Sequence, residues 1–448
     1  MTERMLVIGG DAAGATAAAT AKRLGGDALE VVIHERGRYT SYSACGIPYW
    51  VAGDVPDADR LIARTPEGHR QNGIDVRLGH EAIAIDAAAG TVTARTPAGE
   101  RTVGYDHLVI ATGAEPVRPD LPGIGAGGIY GVQNIPDGAA VLDALNGAKR
   151  AVVVGAGYIG IEMAEAMVRR GLEVVVVDRG PQPMGTLDTD MGAHVHAAME
   201  TVGIDVRCEV HVQGFEAGAD GHVTGVVTDA GTVPADLVVL GLGVRPAVTL
   251  ARAAGLPIGA AGGIRTDDRQ RVTDGIWAGG DCAEVHHRIS GRYVAIALGT
   301  HANRHGRVIG ANVSGRDAQF PGVIGTAVSK VCALEIGRTG LGETAAAEAG
   351  FAAVAATIES TTKAGYMPGA GPIRVKLIAE RGSGRILGGQ IVGVNEGAAK
   401  RIDVVATAVW AGIPAAELAD VDLSYAPPFS PLWDPVTVAA RTVASKIG

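Results

Sequence analysis

Short apolar runs alternate with glycine-rich and polar segments along the chain, and the first of them have a recognisable order. Residues 5–8 are apolar and predict a buried strand, and an alanine-rich helix from Ala15 to Leu24 follows a glycine-rich turn at 9–14. A second apolar run, Leu29–His34, predicts another strand that ends at Glu35. Strand, glycine turn, helix and strand in this order predict a dinucleotide-binding unit of the Rossmann type.

The same order recurs further along the chain. The run Ala151–Val154 predicts a strand, and Gly155–Gly160 is a complete GxGxxG turn. A predicted helix over Ile161–Arg170 and a predicted strand over Leu172–Val177 follow, and Asp178 comes directly after that strand. Two such units in one chain predict two dinucleotide sites.

The glycine turns predict where the pyrophosphates bind, because backbone amides at a helix N-terminus can approach phosphate oxygens closely. The predicted cofactor-binding residues of the turns are Gly9, Gly10, Asp11, Ala12, Ala13 and Gly14 in the first unit and Gly155, Gly157 and Gly160 in the second. Asp11 stands where the second glycine of the first motif is expected.

The acid after the second strand of each unit has the spacing of a ribose ligand. Glu35 has this position in the first unit, where a solvated loop acid is the alternative, and Asp178 has it in the second. Asp178 would bond both ribose hydroxyls and repel a 2′-phosphate, so NADH is favoured over NADPH. Arg179 could bind that phosphate, which leaves NADPH open.

Between the two units, Ile74–Arg77, Ala82–Ile85 and Thr91–Ala94 predict small antiparallel strands. A further predicted strand begins near Tyr105 and ends in Ala111–Gly113.

After the second unit, an apolar run delivers Asp281 at the end of a predicted strand, where it is placed to bond a polyol chain. Residues Ala295–Gly310 predict a helix beside the cofactor.

The pattern changes beyond about residue 325. Ala352–Ile358, Ile373–Ala379 and Ile386–Val394 predict an antiparallel sheet, and a helix is predicted over Ala398–Trp410. The segment that follows, 422–435, predicts a loop. Aromatic residues are 4% of the chain, so the grouping of Tyr425, Phe429 and Trp433 in this loop is notable, and a hydrophobic dimer seam is one interpretation.

The predicted fold class is α/β, with two Rossmann-like dinucleotide-binding domains and a C-terminal α+β domain. The predicted boundaries are 1–114 and 246–325 for the first dinucleotide-binding domain, 115–245 for the second, and 326–448 for the C-terminal domain.

Composition excludes several classes of protein. The 448 residues carry a net charge of -9, which disfavours a nucleic-acid partner. The apolar runs are too short for a membrane span, and the N-terminus does not resemble a secretory signal, so a cytoplasmic location is expected. His301 and His305 are spaced i, i+4, but no nearby carboxylate or thiol completes a set of ligands, and no metal site is predicted.

The four cysteines are Cys45, Cys208, Cys282 and Cys332. Cys45 lies just after the first unit and has no second cysteine within several residues, so a single redox thiol is the sharper hypothesis and a buried structural cysteine is the alternative. Nearness to a helix N-terminus and a flavin would give this thiol a low pKa.

Taken together, these motifs resemble the pyridine nucleotide-disulfide oxidoreductase superfamily, in its single-cysteine branch of coenzyme A disulfide reductases, CoA-persulfide reductases and NADH oxidases. The motifs that carry the resemblance span nearly the whole chain: GGDAAG, SxxxCGIPY, ATG, GAGYIGIE, GLGVRP, TxxxIWAGGD, GAAKRID and YAPPFSPxWDP.

The resemblance implies an FAD-dependent enzyme that uses NADH or NADPH to reduce a small thiol-containing disulfide or persulfide, with CoA as a candidate. It implies that 1–114 and 246–325 form the FAD-binding domain, that 115–245 forms the NAD(P)-binding domain, and that 326–448 is the dimerisation domain. It implies a homodimer in which the C-terminal domain lends residues to the partner's active site. Cys45 becomes the redox thiol beside the flavin, and Tyr425 becomes the aromatic residue that reaches across the dimer and protonates the leaving thiolate.

The resemblance also implies roles for other residues. Tyr158 resembles the gate over the nicotinamide face of the flavin, Glu35 binds the FAD ribose and Asp281 binds the ribityl chain. Further expected cofactor-binding residues are Arg36, Ala82, Ala111, Thr112, Gly113, Ile159, Glu162, Gly243 and Gly299. The expected substrate-binding residues are Thr16, Arg23, Ser41 and Trp433.

The chain departs from these relatives at several positions. The stretch Gly10–Ala13 lacks the histidine of peroxidases and oxidases, Ala44 replaces an asparagine of CoA reductases, and Tyr366 is followed by Met367 where those enzymes have paired tyrosines. Two rival hypotheses stay open: an NADH oxidase that passes electrons to O₂ with Cys45 cycling through a sulfenic acid, and a non-catalytic NADH-sensing flavoprotein.

Overall fold

The computed structural model describes residues 2–395 and 397–447. Its first part contains β1 (Glu3–Ile8), α1 (Ala12–Gly25), β2 (Leu29–Glu35), α2 (Ile47–Ala52), α3 (Pro66–Arg70), β3 (Ile74–Leu78), β4 (Glu81–Asp86), β5 (Thr91–Thr96), β6 (Gly99–Gly104), β7 (His107–Ile110) and β8 (Ala114–Pro116). The middle part contains β9 (Ile129–Gly131), α4 (Ile135–Ala144), β10 (Arg150–Val154), α5 (Tyr158–Arg169), β11 (Glu173–Val177), α6 (Thr189–Thr201), β12 (Ile204–Arg207), β13 (Val212–Ala217), β14 (Val223–Thr228), β15 (Gly231–Pro234), β16 (Leu237–Leu240) and β17 (Val244–Pro246). The chain then forms α7 (Thr249–Ala253), β18 (Arg271–Thr273), β19 (Ile276–Ala278), β20 (Val285–His286), β21 (Tyr293–Val294) and α8 (Gly299–Val313). The last part contains β22 (Ala327–Val331), β23 (Leu334–Gly340), α9 (Glu343–Glu348), β24 (Ala353–Thr361), β25 (Pro372–Glu380), β26 (Ile386–Val394), α10 (Ile402–Ala411), α11 (Ala415–Ala419) and α12 (Pro435–Ala444).

The first sheet has the strand order β18-β19-β7-β1-β2-β3, so it combines strands from two separate stretches of the chain. The prediction that Ile74–Arg77 is an antiparallel strand is wrong: β3 pairs parallel with β2. The reason is burial, because Ile74 and Val76 pack with Val31 and Ile33 in the core of this sheet. The other two predicted strands do pair antiparallel, as β4 and β5, and β6, which was not predicted, pairs antiparallel with β5.

Helix α8 packs closely along α1. A Cβ at Gly306 or Gly310 would meet the backbone of α1, so these glycines allow the close approach. The helix was predicted to begin at Ala295 but begins at Gly299, because Tyr293–Val294 pairs with Val285–His286 as a short antiparallel ribbon.

The core of the first unit also contains a buried thiol. Cys282 is 0% exposed, and its sulfur donates to the carbonyl oxygens of Ile110 and Gly279, both at 3.4 Å. The sulfur therefore lies at the end of the central strands, out of contact with solvent.

The second sheet has the parallel order β12-β11-β10-β16-β9, with a separate antiparallel meander of β13, β14 and β15. The valines of β10 and β11 are largely buried, as is typical of a parallel strand covered on both faces. The chain connects the two dinucleotide units twice, and the two connecting segments lie side by side because β8 pairs antiparallel with β17. They lie near residues 114 and 245, and the domain boundaries predicted there stay a prediction.

The C-terminal part contains the antiparallel sheet β22-β23-β26-β25-β24. The three predicted strands are present, and β22 and β23 were not predicted because charged residues interrupt their apolar pattern. The predicted helix over Ala398–Trp410 begins as a 3₁₀ turn at Ala399–Arg401 and becomes α10 from Ile402. Helices α10 and α12 cover one face of this sheet.

One buried amine joins the second unit to the C-terminal part. Lys376 is 3% exposed on its side chain, and its Nζ lies 3.1 Å from Asp188, 2.7 Å from Asp190 and 2.5 Å from Glu343. Burial alone would lower the pKa of Lys376, but its hydrogen bonds to the three carboxylates outweigh that effect and raise the pKa above 10.5. Within the described residues, the helices are too short or too polar to cross a bilayer.

Candidate active site

A cleft of about 2530 Å³ runs between the two dinucleotide units. Most of the predicted cofactor-binding residues line it: Gly9, Gly10, Asp11, Ala12, Ala13, Glu35, Arg36, Ala82, Ala111, Thr112, Gly113, Gly155, Gly157, Tyr158, Ile159, Glu162, Asp178, Gly243, Asp281 and Gly299. Gly14 and Gly160 lie below the two turns, where a Cβ would collide with the carbonyl oxygens of Gly9 and Gly155. The two predicted sets of residues therefore line one continuous cleft, and each residue's contact with a cofactor stays a prediction.

The first turn has the shape of a pyrophosphate cradle. Gly9 has a φ of +100°, and a Cβ there would collide with the carbonyl oxygen of Ala111. The Glu35 carboxylate accepts hydrogen bonds from Gly10 N at 2.8 Å and from Gly37 N at 2.7 Å, so it lies beside the turn at the mouth of the cleft. Glycine backbone, helix N-terminus and ribose acid fit FAD at this position.

Two further carboxyls in the first unit are desolvated. Burial raises the pKa of Asp11 to about 6, although Asp11 Oδ1 accepts a hydrogen bond from Tyr42 N at 3.2 Å. Burial also raises the pKa of Asp281 to about 6. A polyol would return hydrogen-bond donors to Asp281, which agrees with its predicted contact with the ribityl chain.

The second turn repeats this geometry. Gly155 has a φ of +98°, and the Asp178 carboxylate accepts hydrogen bonds from Ala156 N and Gly180 N, both at 2.6 Å. Tyr158 is the first residue of α5, and its hydroxyl is buried without a hydrogen-bond partner among the described residues. An unpaired phenol on the wall of the cleft is available to a ligand between the two units.

Cys45 lies in a 3₁₀ turn, Ala44–Gly46, directly before α2, and the residue is open to the cleft. Desolvation of the sulfur by surrounding protein raises the pKa of the Cys45 thiol, and the carboxylates of Glu162 and Asp281 raise it further. The pKa of this thiol is thus raised in the chain without cofactors, and the low pKa expected beside a bound flavin stays a prediction. The helix after Cys45 is short, and the nearby acids come from two distant parts of the sequence.

Glu162 is held by the C-terminal part of the chain. Ser329 Oγ donates to Glu162 Oε1 at 2.8 Å, and burial raises the pKa of Glu162. One turn further along α5, Lys330 Nζ lies 2.6 Å from Glu165 Oε1. Sequence reasoning missed Ser329 and Lys330, because their strand is not predicted and is distant in sequence.

The predicted substrate residues Thr16, Arg23 and Ser41 do not line the cleft. Thr16 Oγ1 donates to Asn303 Oδ1 at 2.7 Å across the α1–α8 packing, and Arg23 is exposed further along α1. Asn303 was missed because its own segment shows no local signal.

Ser41 has a partner that the sequence did not indicate. Its Oγ is 2.9 Å from Nε2 of the buried His69, and its φ is +49°. Burial lowers the pKa of His69, so the ring is held neutral near physiological pH. This contact fixes the loop that leads to Cys45.

Tyr425 and Trp433 lie on the C-terminal part and do not line the cleft of their own chain. Tyr425 is 46% exposed, and desolvation and the neighbouring Tyr366 raise the pKa of its hydroxyl. Trp433 is 61% exposed beneath the guanidinium of Arg441. Tyr366 was noted only as a departure from relatives, and the structure brings it to Tyr425.

His301 and His305 lie on the buried face of α8. His305 Nδ1 accepts a hydrogen bond from Gly280 N at 3.1 Å, and burial lowers the pKa of His305 to about 3 and that of His301 to about 4. Both rings therefore pack as neutral groups beside the cleft.

Comparison with known proteins places this arrangement among redox flavoproteins. Residues 3–306 match the pyridine nucleotide-disulphide oxidoreductase family, and residues 326–435 match the dimerisation domain of that family. A similar protein is the NAD(P)H coenzyme A polysulfide/persulfide reductase of Pyrococcus horikoshii, 36% identical over 99% of both chains. The NADH oxidase of Methanocaldococcus jannaschii is also 36% identical over 99% of both chains.

Solved structures give the same picture. A NAD-dependent persulfide reductase from A. fulgidus is 39% identical with a TM-score of 0.96, covering 99% of this chain and 83% of that one. A water-forming NADH oxidase from Lactobacillus brevis, bound to NADH, is 28% identical with a TM-score of 0.94 over 99% of both chains. The predicted fold class is confirmed by these matches.

Proposed function

Because the chain belongs to the pyridine nucleotide-disulphide oxidoreductase family, we propose that it uses NADH to reduce a low-molecular-weight disulfide or persulfide through Cys45. The observation that carries this proposal is the single thiol of Cys45, open to the one cleft that both glycine turns share. A thiol at the junction of two dinucleotide sites can receive electrons that enter at the far side.

Two sets of residues, at the two ends of the cleft, bind the two cofactors in this proposal. The Gly155–Gly160 turn and Asp178 hold NADH, and Tyr158 covers the position where the nicotinamide binds. The Gly9–Gly14 turn, Glu35 and Asp281 hold FAD. FAD supplies the two-electron link between the nicotinamide and the sulfur.

Cys45 performs the sulfur chemistry. Its thiolate attacks a disulfide RSSR′, forms a mixed disulfide with RS and releases R′S⁻. Two electrons from NADH then cleave the mixed disulfide, restoring the thiolate and releasing RS⁻. The sum is RSSR′ + NADH + H⁺ → RSH + R′SH + NAD⁺, and for a persulfide RSSH the products are RSH and H₂S. Tyr425 protonates the leaving thiolate.

In the chain without cofactors, desolvation raises the pKa of the Cys45 thiol, and the charges of Glu162 and Asp281 raise it further. Positive charge or hydrogen-bond donors that enter the cleft with a cofactor or substrate would favour the thiolate.

The proposed disulfide is CoA-like, because a relative 36% identical over 99% of both chains is a coenzyme A polysulfide/persulfide reductase. Thr16 pairs with Asn303 between α1 and α8, and Arg23 offers an exposed cation on α1, two turns after Thr16. The phosphates of CoA could pair with such a cation.

The enzyme is a homodimer in this proposal. The exposed aromatic group of Tyr366, Tyr425, Phe429 and Trp433 lies in or beside the segment that matches the dimerisation domain. A partner would bury it. The cytoplasm is the proposed location, since NADH and reduced thiols are supplied there.

NADH oxidation by O₂ is the second candidate, favoured by the 36% identity to an oxidase. The first turn carries Ala12 and Ala13 where peroxide chemistry needs a base, which disfavours it.

The test compares NADH turnover with and without CoA disulfide, in air and under argon. Protein containing about one FAD per chain should oxidise NADH under argon only when the disulfide is present. Turnover that needs air and ignores the disulfide would establish the oxidase instead.

A further inference from the structure

Arg401 joins three segments at the edge of the C-terminal domain. Its Nη2 donates to the carbonyl oxygens of Thr362 and Phe429, both at 2.7 Å, and its Nε donates to Asp434 Oδ2 at 3.3 Å. The side chains of Arg401 and Asp434 are 12% and 14% exposed, so this is a largely buried network.

The joined segments carry the exposed aromatic side chains. Thr362 begins the loop that leads to Tyr366, and Phe429 lies in the tail that contains Tyr425. The loop and the tail also meet directly, where Ala364 N donates to Pro427 O at 3.1 Å. Arg401 therefore connects the two chain segments whose tyrosines are neighbours.

The far side of the tail is fixed through Asp434. Its Oδ2 accepts a hydrogen bond from Ser430 Oγ at 3.2 Å, and its Oδ1 caps α12 by accepting from Val436 N at 2.8 Å. Asp434 thus connects the tail to the N-terminus of α12, and Arg401 connects Asp434 and the tail to the loop that begins at Thr362.

The aromatic side chains themselves have little support from their own chain. Tyr366 is 76% exposed, Phe429 is 77% exposed and Tyr425 is 46% exposed, and all three are absent from the lining of the Cys45 cleft of the same chain. Through its two backbone hydrogen bonds, Arg401 holds the loop and the tail from which these rings project.

We propose that Arg401 is a positioning residue that orients Tyr425 and Tyr366 for the sulfur chemistry at the partner subunit's Cys45. This inference rests on the proposed function and extends it to a residue that touches neither substrate nor cofactor. Arginine suits the position because a planar guanidinium can donate in several fixed directions to two carbonyls and a carboxylate. A lysine ammonium at this site would keep the charge but could not span all three acceptors.

The first experiment compares Arg401→Gln and Arg401→Lys with a matched control, Arg374→Gln. Arg374 lies on β25 of the same domain, and its ion-pair partner among the described residues is the exposed Glu359 on the neighbouring strand. Both Arg401 variants should lower kcat with CoA disulfide by on the order of tenfold to a hundredfold, the cost of small misplacements in an active site. The KM for NADH and the stopped-flow rate of flavin reduction should match wild type, and Arg374→Gln should match wild type throughout.

A purely structural role predicts a different pattern. If Arg401→Gln slows flavin reduction and disulfide turnover equally, or Arg401→Lys restores full disulfide turnover, the proposal is overturned. Equal losses in Arg374→Gln would overturn it as well.

The second experiment uses heterodimers of two differently tagged chains. In the trans pair, one chain carries Arg401→Gln and the other carries Cys45→Ser, so the intact thiol faces an intact tail. In the cis pair, one chain carries both substitutions and the other is wild type, so the only thiol faces a tail without its arginine. The trans pair should keep about half of the wild-type activity per dimer, and the cis pair should lose on the order of tenfold or more relative to it.

Equal activity of the cis and trans pairs would overturn the inference, as would a chain that is monomeric at the assay concentration. Failure of the proposed function has a separate signature: the Cys45→Ser homodimer would retain disulfide turnover. That result would remove the thiol mechanism, whereas an inactive Cys45→Ser homodimer with indistinguishable cis and trans pairs would remove only the role of Arg401.

Discussion

The Asp178 carboxylate lies 2.6 Å from the backbone nitrogen of Ala156, the second residue of the second glycine turn. Glu35 makes the equivalent contact with Gly10 N at 2.8 Å in the first turn. Each carboxylate is thus held beside its glycine turn by a backbone N–H of the same turn that would bind a pyrophosphate. The orientation of both carboxylates is set before a nucleotide enters.

Coenzyme choice should follow from this contact. The double substitution Asp178→Ala with Gly180→Arg removes the acid and adds a cation where the Asp178 oxygen limits the space beside Gly180. The ratio of kcat/KM for NADPH to that for NADH should rise by about tenfold or more, since a 2′-phosphate gains a partner and loses a repulsive neighbour. Asp205→Ala on the exposed edge is the control. A wild-type enzyme that already prefers NADPH would show that Arg179 dominates.

The Cys45→Ser variant should separate the two halves of the reaction. Both glycine turns remain, so the variant should bind FAD and accept electrons from NADH at the wild-type rate in stopped-flow measurements. Turnover with CoA disulfide should disappear, because a serine hydroxyl cannot form the mixed disulfide. Near wild-type disulfide turnover would mean that Cys45 is structural, and loss of oxygen consumption alone would favour the oxidase.

The charge of Glu162 should control the reactivity of Cys45. Desolvation raises the pKa of the Cys45 thiol first, and Glu162 is the largest electrostatic contribution. Removing that negative charge in Glu162→Gln stabilises the thiolate, so iodoacetamide should alkylate Cys45 faster at neutral pH. The difference should vanish as the pH falls through the raised pKa of Glu162, because the wild-type carboxyl is then neutral too.

This measurement has two controls. Cys45→Ser identifies the modified thiol by mass spectrometry, and Glu173→Gln, on an exposed position of β11, should leave the alkylation profile unchanged. Slower alkylation in Glu162→Gln would contradict the electrostatic explanation.

Tyr425→Phe should affect only the sulfur half of the reaction. Loss of the hydroxyl removes the proposed proton donor, so disulfide turnover should fall by at least about tenfold, while NADH still reduces the flavin at the wild-type rate. A thiol leaving group of low pKa should relieve much of the defect, since it needs no proton to depart. Unchanged turnover with every disulfide would place the proton donor elsewhere.

Removing the buried amine should weaken the junction between the second unit and the C-terminal part. In Lys376→Met the carboxylates of Asp188, Asp190 and Glu343 lose their common partner, which should lower the free energy of unfolding by about 3 kcal/mol. Urea denaturation at pH 7 measures this, with Arg374→Gln as the control on the same strand.

The pH dependence of the same variant has a defined sign. The pKa of Lys376 is raised in the fold, so its contribution is complete below pH 10.5 and is lost only as pH rises through the folded value. The defect of Lys376→Met should therefore be the same at pH 7 and pH 9 and should shrink only above pH 10.5. A defect that shrinks between pH 7 and pH 9 would contradict this account.

Local chemistry explains what the sequence could predict. Gly9 and Gly155 have positive φ, and Glu35 and Asp178 follow strands at a fixed spacing. Each dinucleotide unit can therefore be predicted from a stretch of about thirty residues. Non-local contacts explain what the sequence could not predict. The direction of β3 depends on its pairing with β2. The pKa of Cys45 depends on desolvation by the folded chain and then on Glu162 and Asp281, which are distant from Cys45 in sequence.

The missing partners of the candidate site share that cause. Asn303 meets Thr16 across 287 residues, and Ser329 meets Glu162 across 167 residues. Neither residue has a motif of its own. Only the packing of α8 on α1, and of β22 on α5, brings them to the groups that were predicted.

Because the sulfur of Cys282 is enclosed, its reaction with a thiol reagent would report conformational opening of the first sheet. A thiol reagent can reach this atom only when the ends of β7 and β19 separate, so its modification rate measures the fraction of molecules in which the first sheet is transiently open. Cys45 reacts from the closed form. The modification rates of Cys45 and Cys282 therefore report two different properties, the exposure of the cleft and the opening of the first sheet. A ligand that binds the closed first unit should lower the modification rate of Cys282 by mass action.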